Sequence, residues 1–377
     1  MVTLACIAGE EVYRQWESGR IHGTKLGPRQ TPFGPSNEIF LVKSSAAASQ
    51  HAGAYISQAT ADHAQTADPV AADVIAASHA TTPALAAGSD APGAPGVKSA
   101  IRNCPSGHLS GPQSAIPQDA CFCQGQGETD FYLMPRYGAG MRKSAPYKVN
   151  ARANMYALKD LGVQAVLAWG PAGAITHNIA VGDLVIVSDL IDKTYLRDKT
   201  FFEDCPLGFL RQFPVFCPSL RKLLAQVLGS MKLVYHSSAT AAITEGPRLE
   251  TAAEVRMLAA MGAELVTHSF VPEVFLAKEL QMCYASLCYV VNYAETGSSH
   301  RTFAAGELFG GLTQKSDGDR LAGALAAMSS VAANLLSTAA AATSQTKHLC
   351  DCHQTMLANQ RHYNLPPDWR EWFATPG

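Results

Sequence analysis

Val2 to Ile7 is a short apolar run closed by Ala8-Gly9, the pattern of a buried strand entering a tight turn. Pro and Gly within Thr31-Pro-Phe-Gly-Pro-Ser predict a bend, and Ile39–Val42 and Phe131–Met134 then read as two further strands. From Lys148 the pattern tightens into α/β alternation. Asn150–Leu161 has helical spacing, with Ala153, Tyr156 and Ala157 on one side and Gly162 placed to stop it. Val163–Trp169 is almost continuously apolar, as expected of a strand covered on both faces, and it runs into a glycine-containing turn, Gly170 to Ala174. Asp183–Leu190, Ser237–Ile243, Glu264–Thr267 and Cys283–Val291 read as strands; Arg221–Leu228, Thr251–Met261 and Val274–Leu280 read as helices. After Gly306 the chain reads as helix, ending in the Ala-rich run Leu321–Ala342, and there is no internal repeat.

Composition alters this picture at one place. Ser44–Gln126 is dominated by Ala, Ser, Thr, Gln, His, Pro and Gly, too poor in large apolar side chains to offset the entropy of ordering it. It is expected to be a long disordered loop carried on a strand pair. The resulting organisation is one α/β domain over 1–345, interrupted at 44–128, with a C-terminal tail at 346–377. A formal net charge of -2 without a basic run gives no footprint for nucleic acid. No apolar stretch approaches the ~18 residues of a membrane span. The first residues lack the flank and core of a secretory signal, which points to the cytoplasm and reduced thiols for the ten cysteines.

Polar or glycine clusters recur just after the expected strands: Gly9-Glu10, Arg136-Tyr137-Gly138, Gly170 to Ala174, Glu245 to Arg248, His268-Ser269 and Asn292. In a parallel or mixed sheet such ends can converge on one rim, where open α/β sheets bind ligands.

Several motifs occur in order: Lys148-Val-Asn-Ala-Arg-Ala-Asn, the turn at Gly170 to Ala174, Gly182-Asp-Leu-Val, Ile191-Asp-Lys-Thr, Thr244-Glu-Gly-Pro-Arg-Leu-Glu-Thr and Val271-Pro-Glu-Val-Phe-Leu-Ala-Lys. Together they resemble the methylthioadenosine and methylthioinosine phosphorylase branch of the purine nucleoside phosphorylases, loosely over Met1–Val42 and closely over Phe131–Gly306. The resemblance implies a single-domain nucleoside-phosphorylase fold, a mixed central sheet flanked by helices, here with a long low-complexity insertion. It also implies a cytoplasmic pentosyltransferase assembled as a trimer or a multiple of it, with sites near subunit contacts. No organic cofactor and no metal are implied, because phosphate is the co-substrate of a purine nucleoside.

In that family phosphate attacks the anomeric carbon as the purine leaves, through an oxocarbenium-like transition state that needs anion placement and help for the departing base. Carried over by position, Arg136 would pair its guanidinium fork with phosphate. Tyr137 stands where the family commonly has His. Gly170 and Pro171 would contribute to the phosphate and sugar subsite. His268 and Ser269 take positions near the sugar that carry Met and a hydroxyl residue in the family. Asn292, the catalytic candidate, would face the purine edge around N7, and Ala294 replaces a residue that is often acidic in adenine-specific members. An amide can donate to N7 or to a 6-oxo group, so Asn292 with Ala294 favours a 6-oxopurine. The same amide, turned over, can read adenine at N6 and N7.

The chain departs from the family at its first loop, where Gly-Gly-Thr-Gly is replaced by Ala8-Gly9-Glu10-Glu11. A carboxylate at Glu10 would repel phosphate if it pointed inward, and Pro171 lacks an N–H. Glu10 could act as the general base of a nucleoside hydrolase, could disable a purine-binding but inert relative, or could point to solvent or pair with Arg136.

Among the remaining features, His348-Leu-Cys-Asp-Cys-His353 suggests a metal site. Its single intervening residue is tighter than the usual zinc spacing, so ordinary tail thiols are expected. Relatives from hot environments use a similar Cys-X-Cys as a disulfide, the second reading. Cys121 and Cys123 fall in the low-complexity loop, and Cys205, Cys217, Cys283 and Cys288 read as buried packing thiols. His177 and His236 read as surface or satisfied core histidines. Trp369 and Trp372, with Leu365-Pro-Pro, are expected to cap a groove on the body or on a neighbouring subunit.

Overall fold

The computed structural model describes residues 3–9, 23–42, 131–138, 144–295, 317–324, 334, 338 and 350–373. In chain order they form β1 (Thr3–Ala8), β2 (Gly23–Gly27), β3 (Gln30–Thr31), β4 (Gly34–Pro35), β5 (Ile39–Val42), β6 (Phe131–Pro135), α1 (Ala151–Asp160) and β7 (Val163–Ala174). There follow β8 (Leu184–Ile186), β9 (Asp189–Lys193), α2 (Pro218–Ser230), β10 (Tyr235–His236), β11 (Thr240–Thr244), α3 (Ala252–Ala260), β12 (Leu265–Thr267), α4 (Glu273–Glu279), β13 (Cys283–Tyr293) and α5 (Leu357–Tyr363). Residues 317–324 are helical; the rest of the expected Ala-rich helix lies outside the described residues apart from Asn334 and Thr338. All described residues belong to one compact unit, Met1–Ala61 with Gly127–Gly377, while the second unit, Asp62–Gln126, lies outside them.

Among the described residues eleven strands make one mixed sheet, ordered β10-β8-β13-β7-β1-β6-β5-β2, with β9-β11-β12 as a second limb that also meets β7. β1 is parallel to β6 and β7, β13 is parallel to β7, and β12 is antiparallel to it. Both faces are covered, as the apolar run of β7 predicts. Val166 and Ala168 join the core beneath α1 and α4, whereas Ala165, Leu167 and Trp169 join the core beneath α2. Helix α1 is capped by Asn150, which accepts from the Ala153 N–H, and Gly162 at φ +80° ends the turn after it. β5 pairs antiparallel with β6, so the low-complexity stretch joins neighbouring strands; the stretch itself lies outside the described residues.

Three expectations are corrected. Gly170 to Ala174 is not a turn, because β7 continues through it, paired to β13 as far as Ala174. Its glycines serve close approach instead. A Cβ on Gly173 would lie 3.3 Å from Asn292 Nδ2 and from Val266 Cγ1. Asp183–Leu190 is two strands rather than one. The Val187 N–H bonds to the Ser286 carbonyl and the Ser188 N–H to the Ala239 carbonyl, so the chain leaves β13 and joins β11 as β9. The strand expected over Ser237–Ile243 is likewise shifted to Thr240–Thr244, after the two-residue β10. None of the helices among the described residues is long and apolar enough to cross a membrane.

Candidate active site

β1 leaves β7 at Ala168, and β12 joins the same side of β7 at Gly173. Between them residues 169–172 have no strand neighbour on that side among the described residues, and side chains fill the gap. Arg136 Nη1 donates to the Trp169 carbonyl, and Thr267 Oγ1 donates to the Pro171 carbonyl at 2.7 Å. The N and O of one residue point to the same side of a strand, so the N–H that Pro171 lacks falls in this gap and costs no ladder bond.

Arg136 follows β6 and is buried, with Glu273 at the start of α4 directly across from it. Its Nε donates to Glu273 Oε1 at 2.6 Å and its Nη2 to Glu273 Oε2 at 3.1 Å, while Nη2 also reaches the Ile7 carbonyl at 3.4 Å. Burial alone would lower the guanidinium pKa, but the Glu273 carboxylate more than offsets this and the net direction is upward. The fork edge expected to hold phosphate thus holds Glu273. Tyr284 lies against the same guanidinium and carboxylate, its hydroxyl donating to Glu273 Oε2.

Sequence reasoning overlooked a second arginine. Arg197 donates to the Glu245 carboxylate at 3.0 Å and to the carbonyls of Thr244, Glu245, His268 and Val271. Glu245 also accepts from the Tyr195 and Leu196 N–H groups. Burial alone would raise Glu245; these donors and Arg197 hold it below its ordinary value. The glutamate of the Glu-Gly-Pro-Arg motif is therefore a clamp on the site's floor, and Arg248 forms a surface pair with Glu254. No periodicity marks Arg197, because its partners are mostly carbonyls.

His268 follows β12. Its Nδ1 is 2.9 Å from Thr244 Oγ1, whose hydroxyl donates to Glu250 Oε1 at 2.6 Å. A threonine has one proton to give, so Nδ1 carries the imidazole proton and Nε2 remains an acceptor. Burial lowers the His268 pKa, partly opposed by Glu250, and the ring is neutral at pH 7. Gly246, at φ +63°, passes beneath this ring, where a Cβ would lie 3.0 Å from its carbons. Ser269 is fully buried, its Oγ 3.2 Å from the Tyr137 hydroxyl, and a Cβ on Gly170 would strike it at 2.7 Å.

Arg136, Tyr137, Arg197, His268 and Glu273 line one cleft. Asn292 lies farther along β13, opposite Gly173, buried, with Nδ2 donating to the Tyr293 carbonyl at 2.8 Å. Ala294 packs among Ile175, Val255 and Val266. The structure thus gathers Arg136, Tyr137, Gly170, His268 and Ser269, sets Pro171 beside them and Asn292 at the end of β13. Glu10 lies outside the described residues, and so do the hydrolytic and inert readings that rest on it.

The cysteines divide. Cys6 and Cys288 are packing thiols in the core. Cys217 and Cys283, expected in the same role, instead meet Cys350 and Cys352 of the tail. Trp372 is buried and Trp369 packs edge-on against Tyr156, so the tail covers the body of its own chain.

Comparison with known proteins gives concordant results. The family model described as the phosphorylase superfamily matches residues 140–331. The 6-oxopurine nucleoside phosphorylase of Pyrococcus furiosus is 36% identical over 198 residues, 51% of this chain and 74% of that protein. The S-methyl-5'-thioadenosine phosphorylase of Saccharolobus solfataricus is 38% identical over 168 residues, 44% of this chain and 62% of that protein. Among solved structures, methylthioadenosine phosphorylase from Schistosoma mansoni in complex with tubercidin matches at a TM-score of 0.59 and 20% identity, covering 96% of each chain. That last likeness carries the fold.

Proposed function

Because the chain belongs to the phosphorylase superfamily, we propose that it is a purine nucleoside phosphorylase that splits the N-glycosidic bond of a 6-oxopurine nucleoside to purine and sugar 1-phosphate. The activity class is that of the relatives at 36% and 38% identity. The observation that carries the site assignment is the cleft itself, where the Arg136 guanidinium, the paired hydroxyls of Tyr137 and Ser269, and a neutral His268 come together.

In this reading the Arg136 guanidinium and the Tyr137 hydroxyl hold phosphate, with Gly170 and Pro171 forming the wall beside it. Arg136 and Glu273 cancel in charge, so the anion is placed by directed donors more than by a net positive field. His268 Nε2 accepts from a sugar hydroxyl, and Ser269 faces the same sugar. Asn292, anchored through Nδ2 to the Tyr293 carbonyl, keeps a second N–H for purine N7 or O6. That hydrogen bond strengthens as the departing base gains negative charge. Ala294 offers no acceptor for a 6-amino group, and the name of the Pyrococcus relative agrees with a 6-oxo preference.

The reaction needs no cofactor beyond phosphate. We place the enzyme in the cytoplasm as a trimer or a multiple of it. Exposed Tyr195 and Leu196, side by side on Glu245, offer an apolar surface to a second copy. Sedimentation equilibrium checks the assembly. The substrate assignment is tested by purine release from methylthioinosine, inosine, guanosine and methylthioadenosine in phosphate buffer. The 6-oxopurine nucleosides should give the higher kcat/KM, and a clear preference for methylthioadenosine would overturn the role given to Asn292.

A further inference from the structure

Four sulfur atoms from three distant parts of the chain converge on one point: Cys217, Cys283, Cys350 and Cys352, all Sγ atoms within 4.8 Å of one another. Cys350 Sγ lies 3.3 Å from Cys283 Sγ and 3.5 Å from Cys217 Sγ. A tetrahedral tetrathiolate with Zn–S near 2.3 Å has sulfur–sulfur edges of roughly 3.8 Å, so the cluster has the size of such a site. A disulfide joins one sulfur to one partner at about 2.05 Å; here Cys350 is shared almost evenly between two.

We propose that Cys217, Cys283, Cys350 and Cys352 bind one thiophilic divalent cation of the zinc class, in a closed structural site that pins the C-terminal tail to the sheet. The tail's Cys-X-Cys supplies one pair, and the body supplies the second pair that the sequence did not reveal. Cys217 caps α2, with the Leu220 N–H directed at its sulfur at 3.5 Å. A helix N-terminus favours the thiolate there. Cys283 opens β13. Binding releases the thiol protons to solvent and changes no oxidation state, leaving a dianionic tetrathiolate complex.

The site has structural consequences for the cleft. Thr355, just beyond the cysteines, donates to the Lys278 carbonyl at the end of α4 at 2.6 Å. Further on, Trp369 and Phe373 pack against Phe33 and Tyr156, and Phe33 accepts a hydrogen bond from Asn150, the cap of α1. The ion would thus hold down the tail that covers the helix leading from the cleft.

The test uses the full chain, produced with zinc present and then desalted. Metal analysis should find about one zinc per chain, the stoichiometry of a closed four-ligand site. Zinc should be lost from C350S/C352S and retained in C205S, with a lower Tm for the double variant. If the double variant fails to fold, wild-type protein treated with chelator and refilled with cobalt(II) decides the matter. Visible bands of a tetrahedral cobalt site and thiolate-to-metal charge transfer are expected. Thiols that react in denaturant only after reduction, or a chain that takes up neither zinc nor cobalt, would overturn the proposal in favour of disulfides or ordinary thiols.

Discussion

Arg136 and Glu273 form a two-pronged ion pair across the base of the cleft, at 2.6 and 3.1 Å, with both side chains at most 5% exposed. Tyr284 adds a third bond to the same carboxylate, its hydroxyl donating to Oε2 at 2.6 Å. Removing one charge strands the other in a medium that solvates it poorly. Glu273→Gln is expected to cost about 3–5 kcal/mol of stability, read as a shift in the midpoint of chemical denaturation. A loss below about 1 kcal/mol would match a surface pair instead.

Glu279 gives a pH signature of its own. Burial raises its carboxyl to about 7, against hydrogen bonds from the Phe201 N–H and the Thr200 hydroxyl that lower it. Its folded pKa lies above the unfolded value of 4.5, so the folded state binds more protons in that interval. The contribution is complete below pH 4.5 and is lost as pH rises through about 7. Glu279→Gln should remove this falling limb, which denaturation midpoints measured across the interval would reveal as a flatter profile.

Much of the frame was legible in the sequence because burial writes a period into it. The helix after Asn150, its stop at Gly162 and the two-faced strand from Val163 follow from apolar spacing and caps. The extension of β7 through Pro171 was not legible, since Gly and Pro signal a turn unless the neighbouring strand is known to have ended. The grouping of Arg136, Tyr137, His268 and Ser269 was available from strand ends and the family motifs. Their partners were not, because Glu273, Arg197 and the Thr244–Glu250 relay are set by contacts across the fold. The cysteine cluster failed for the same reason, with Cys217 and Cys350 separated by 133 positions.

His268 should act as a neutral hydrogen-bond acceptor. His268→Met is expected to lower kcat/KM for the ribonucleoside about tenfold, the value of one such bond. Against an analogue lacking the contacted sugar hydroxyl the variant and wild type should perform alike, and equal losses on both would refute the contact. In the wild type, activity should fall as acid protonates the ring, at a pH below the ordinary histidine value of 6.5.

Asn292→Asp exchanges a donor for an acceptor at the purine edge. Methylthioadenosine should gain on methylthioinosine by about tenfold or more in relative kcat/KM, as one hydrogen bond is lost to one base and gained by the other. An unchanged ratio would place Asn292 away from the base.

In the proposed reaction phosphate, not water, takes the sugar. Methylthioinosine or inosine should be incubated with the enzyme in phosphate-free buffer and again with phosphate, and the products followed by phosphorus NMR and purine absorbance. No purine release is expected without phosphate and, with it, one sugar 1-phosphate for each purine. Purine release with free sugar in phosphate-free buffer would contradict it.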